Sequence, residues 1–81
     1  MDRAALLRAY HRELDKTTNL AALRDADASF SKTHGLSTET ILNIGSVWLA
    51  HYDRVCGEGS PALCTEALNR AIAGLAERKE T

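Results

Sequence analysis

Apolar side chains recur along this chain at intervals of three and four in four separate blocks, and that spacing predicts four helices. In the first block, about residues 2–16, Leu7, Tyr10 and Leu14 fall on one side with Leu6 beside them. Arg3, Arg8, Arg12 and Lys16 share the outer surface with Glu13 and Asp15, and Asp2 suits the positive end of the helix dipole. Thr17-Thr18-Asn19 interrupts, because such side chains compete with the helix by bonding to nearby backbone. Thr18 or Asn19 is the expected cap of the second helix, about residues 20–33, whose inner side carries Leu20, Leu23, Ala26 and Phe30.

Gly35 then stands where a helix ends in a left-handed residue. Leu36 is the apolar residue that folds back, Ser37 is a natural N-cap, and Leu36 and Ile41 have the spacing of a hydrophobic staple. The third block, about residues 38–55, carries Ile41, Leu42, Ile44, Val47, Trp48, Leu49, Tyr52 and Val55, with Gly45 among them. These cover roughly two-thirds of the circumference, against the ~100° stripe of a surface helix. Only Glu39, Asn43, Ser46, Asp53 and Arg54 mark a polar edge, so this helix is expected at the centre. Ser60-Pro61 starts the last helix, about residues 61–78, with Leu63, Cys64, Ala67, Leu68, Ala71, Ile72 and Leu75 inside and residues 79–81 frayed. The expected fold is an all-α bundle of four helices, one domain over residues 1–81.

Composition narrows the functions available. At 81 residues the chain has one core, and a domain of this size buries only about 60–65% of its open-chain surface, so association would help it. The formal charge is −1 and both signs are spread evenly, which leaves no basic patch for a polyphosphate or an anionic membrane. No stretch has the apolar length of a signal peptide core or a membrane span. A cytoplasmic setting is expected, with Cys56 and Cys64 reduced and packed as small buried hydrophobes.

Residues 30–46 have the order of a helix-turn-helix: small Ser31, Gly35 four residues on, then Leu36, Ile41 and Ile44 as inward anchors. In that reading Thr38, Glu39, Leu42 and Asn43 meet DNA. Two features oppose it. His34 takes a position that normally packs inward and apolar, and no Lys or Arg follows until Arg54, so phosphates would go unanswered.

Other chemistry is mostly excluded. DADASFSKTHGL resembles a calcium loop but has Phe30 where the turn needs Gly and Leu36 where it needs a carboxylate. His51, Cys56 and Cys64, joined by His34 or His11, lack the closely spaced ligand pair of a structural zinc site, so no metal is expected. There is no nucleophile elbow, P-loop, dinucleotide fingerprint or zincin motif. In His11-Arg12-Glu13 and His51-Tyr52-Asp53, neighbours on a helix point about 100° apart and do not converge. Neither an enzyme nor a cofactor is expected.

What remains is a small regulator, adaptor or inhibitor that binds a protein partner through a helix face, acting as a homodimer. Its docking residues are Leu42, Gly45, Trp48, Leu49 and Tyr52, since aromatic side chains dominate interface hot spots. The alternative is a DNA-binding transcriptional regulator using residues 30–46. A metal- or redox-responsive module built on Cys56 and Cys64 is a third.

Overall fold

A computed structural model describes the backbone of residues 3–35 and 38–79 and the side chains of residues 3–35 and 44–75. Four helices are present and, among the described residues, no strand: α1 (Arg3–Asp15), α2 (Leu20–His34), α3 (Thr38–Val55) and α4 (Pro61–Lys79). Each boundary lies within a residue or two of the one expected from apolar spacing.

The ends of the helices follow from local chemistry. Asn19 is the N-cap of α2: its backbone is extended, and its side-chain oxygen accepts the Ala22 amide at 2.9 Å. At the other end Gly35 has φ 55°, and its amide bonds to the Ser31 carbonyl at 2.9 Å. A side chain with a Cβ would be strained in that conformation. Ser60 caps α4 by accepting the Leu63 amide, and Pro61 follows as the first helical residue. In the turn between α3 and α4 the amides of Glu58 and Gly59 both reach the Asp53 carbonyl, at 2.8 and 3.0 Å. The expected Ser37 cap and the Leu36–Ile41 staple lie outside the described residues.

The core is the set of stripes that the spacing marked: Leu7, Tyr10 and Leu14 from α1, Leu23 and Phe30 from α2, Ile44 and Val47 from α3, and Leu68 and Leu75 from α4. Tyr10 and Phe30 meet edge to face with ring centroids 5.3 Å apart, a preferred aromatic geometry. The helices α1 and α3 each pack against all the others, and among the described residues α2 and α4 do not meet. The third helix is therefore central, and α1 shares that place with it.

Two side chains depart from expectation. Leu63 is 52% exposed and not on the inner side of α4. Cys64, Leu68, Ala71 and Leu75 share one stripe at spacings of three and four, and Leu63 points about 100° away from its neighbour Cys64. Cys56 is exposed beyond the end of α3, while Cys64 is fully buried, so the two cysteines are not a pair of core residues.

Candidate functional site

The polar chemistry of the interior gathers on the seam between α1 and α3. His51 is fully buried, four residues from Val47 and seven from Ile44 on the core side of α3. Its Nε2 lies 2.9 Å from Nδ1 of His11, which reaches across from α1, and the rings are 4.9 Å apart between centroids. Arg54, one turn further along α3, sends Nε and Nη2 to His51 Nδ1 at 3.2 and 3.1 Å. The same guanidinium donates through Nη1 to the Thr17 carbonyl at 2.9 Å and through Nη2 to the Leu14 carbonyl at 3.0 Å. The Thr17 hydroxyl also donates to Leu14 O. Arg54 thus adds charged donors to the carbonyls at the end of α1, where a cation is also favoured by the helix dipole.

The donors settle the protons. A guanidinium only donates, so Nδ1 of His51 is the acceptor and the neutral ring carries its hydrogen on Nε2. That N–H donates to Nδ1 of His11. Burial first, then the nearby His11 and Arg54, push the His51 pKa down to about 4, against a smaller pull from Asp15. Cys64 lies close enough to hydrogen-bond with Arg54; burial pushes its thiol up, and the charge and hydrogen bond of Arg54 oppose that rise. A thiol held neutral and buried is a poor nucleophile.

His11, Asp15 and His51 bring ligand-type atoms within 4.8 Å of one another, since His11 and Asp15 are one turn apart on α1. A divalent ion needs a lone pair from each ligand. His51 has none to give: one nitrogen accepts Arg54 and the other holds the proton. Metal binding there would require that proton to leave and Arg54 to turn away. As built, the cluster is a hydrogen-bonded clasp between two helices.

No family model matches this chain, and none of the curated proteins or solved structures compared with it does. Its function is to be argued from its own surface.

The face of α3 turned from the clasp is that surface. Leu49 is 60% exposed, while Gly45, Trp48 and Tyr52 are half-buried along its edge. Trp48 and Tyr52 stand one turn apart with ring centroids 6.4 Å apart. The side chains of Leu42 and of Thr38, Glu39 and Asn43, the residues assigned to a DNA contact, lie outside the described set. Among the described residues no helix is long and apolar enough to cross a membrane.

A second polar feature was not visible in the sequence. The Tyr10 hydroxyl donates to Asp27 Oδ1 at 2.7 Å, and burial first, then this bond and the Asp27 charge, push the Tyr10 pKa up. The two residues are 17 apart in sequence and belong to different helices, so no local pattern signals them. The His11–His51 pair escaped for the same reason, at a separation of 40.

Proposed function

We propose that this protein is a non-catalytic interaction module, a regulator or adaptor that docks a partner helix on the outer face of α3. The observation that carries this is Leu49, 60% exposed on a helix whose opposite face forms the core. Leucine at that exposure, beside half-buried Trp48 and Tyr52, gives an apolar patch with aromatic anchors of the kind that dominate protein interfaces. Gly45 lies open at its edge, where a Cβ would meet nothing within 4 Å. A partner backbone can approach closely there. The near-neutral chain offers little self-repulsion, so the first occupant to test is a second copy, paired through the same face in a two-fold dimer. Two free thiols suit a reducing compartment such as the cytoplasm.

The test is light scattering coupled to size-exclusion chromatography across a concentration series. The native chain is expected to shift toward dimer mass, and Leu49→Glu to hold it monomeric while its helical circular dichroism is unchanged. A native chain that stays monomeric at the highest concentration sinks the homodimer. A binding partner retained equally by Leu49→Glu sinks the face.

A further inference from the structure

A groove between α1, α2 and α3 holds a carboxylate with which no basic side chain among the described residues is seen paired. It is lined by Tyr10, Asp27, Ser31, Ile44, Gly45 and Trp48. Asp27 is half-buried there, and its carboxylate accepts a hydrogen bond from the neutral Tyr10 hydroxyl. The ion pairs Glu13–Lys16 and Glu66–Arg70 lie elsewhere, and among the described residues no basic side chain is seen paired with Asp27. A carboxylate has about four lone-pair sites on its two oxygens, so one hydroxyl leaves most of its accepting capacity unused.

The surroundings say what would complete it. The groove has a volume of about 240 Å³. That is below the ~300–1,000 Å³ of pockets that enclose a free small-molecule ligand, and it suits a single inserted side chain. Ser31 adds a second acceptor, Ile44 and Trp48 supply apolar and aromatic surface, and Gly45 keeps the mouth open. A guanidinium matches this set better than an ammonium. It bonds a carboxylate through two parallel donors, stacks on an indole, and gives up its hydration more readily.

We propose that the groove between Asp27 and Trp48 receives an arginine side chain from the protein that docks on α3. This rests on the docking reading above, because Gly45 and Trp48 border both the groove and the outer face. The partner helix then presents an apolar residue to Leu49 and an arginine to Asp27.

The probe is N-acetyl-arginine amide, with the citrulline counterpart as its neutral isostere, titrated into the full chain. Binding is read by two-dimensional NMR at the indole N–H of Trp48, the single tryptophan, and at the Gly45 amide. Arginine amide is expected to give saturable shifts at both, and citrulline to bind about tenfold more weakly or worse, as loss of a charged hydrogen bond implies. Asp27→Asn keeps an acceptor for the Tyr10 hydroxyl and should abolish the preference for arginine. Gly45→Leu fills the mouth and should abolish binding altogether, which decides the matter even if Asp27→Asn does not fold. Equal shifts with citrulline, or undiminished arginine binding in Asp27→Asn, would overturn the proposal. Leu49→Glu separates the two readings: it removes docking but leaves the groove. A chain that docks through Leu49 yet ignores arginine amide loses only the groove assignment. Arginine binding by a chain that never docks a protein overturns the source given to the cation.

Discussion

At Gly35 the backbone enters the left-handed region, with φ 55°, and its amide closes the end of α2 on Ser31. Gly45 sits inside α3 with open space where its Cβ would be. The same substitution should therefore act in opposite directions. Gly35→Ala is expected to destabilise by about 1 kcal/mol through the strained backbone. Gly45→Ala is expected to stabilise by up to about 1 kcal/mol, the usual gain from replacing glycine in a helix interior. Urea denaturation of both variants checks the signs. Tyr10→Phe makes a third residue-scale case. It strips the half-buried Asp27 carboxylate of its hydroxyl donor, and a cost of about 2 kcal/mol is expected, within the range for hydrogen bonds to charged groups. A Tyr10→Phe, Asp27→Ala double variant is expected to cost less than the sum of the two single variants, and a cost equal to that sum would refute a direct coupling between them.

Between elements, the clasp of His11, His51 and Arg54 ties the end of α1 to α3 and makes their union sensitive to acid. The folded pKa of His51 is about 4, below the ordinary 6.5, so the unfolded chain binds the proton first. The stabilising contribution is complete above pH 6.5 and is lost as pH falls to about 4; the linked loss is on the order of 3 kcal/mol. Thermal unfolding from pH 7 to pH 4 should show this slope, and His51→Gln should flatten it. Arg54→Met removes a cation that helps hold the His51 pKa down, so the folded value should rise toward 6.5 and the stability lost between pH 7 and pH 4 should be smaller than in the native chain. These helices also show what sequence reveals and what it conceals. Asn19, Gly35 and Ser60-Pro61 mark ends because their bonds go to backbone within four residues. The apolar stripes are legible because helical period alone sorts Leu7, Tyr10 and Leu14 from Arg8 and Arg12. Arg54 reads as a polar edge, and only the packing of α1 against α3 turns it into a cap for Leu14 and Thr17. Leu49 is likewise apolar in any pattern, and whether it faces core or solvent is decided by which neighbours α3 has.

For the whole molecule, the decisive arrangement is that α1 and α3 touch every other helix while α2 and α4, among the described residues, do not touch each other. Energies of substitution on the two flanking helices should then sum. Leu23→Ala and Leu68→Ala bury their side chains in different contacts, each expected to cost about 2–5 kcal/mol. To keep the double variant folded for measurement, the milder Leu23→Val and Leu68→Val suffice, with additivity to about 0.5 kcal/mol expected from denaturation. A coupling well beyond that would show that the central pair transmits strain between them. The separation also has a kinetic meaning. A flanking helix that leans only on the central pair can leave and return without disturbing the other, so the molecule has two independent ways of opening partially. Native-state hydrogen exchange should resolve them as separate groups of amides, one in α2 and one in α4, each released below the free energy of global unfolding. The Asp27 groove has a wall from α2, so the first of those openings would also expose and dismantle it, and anything seated there would slow the exchange of α2 alone.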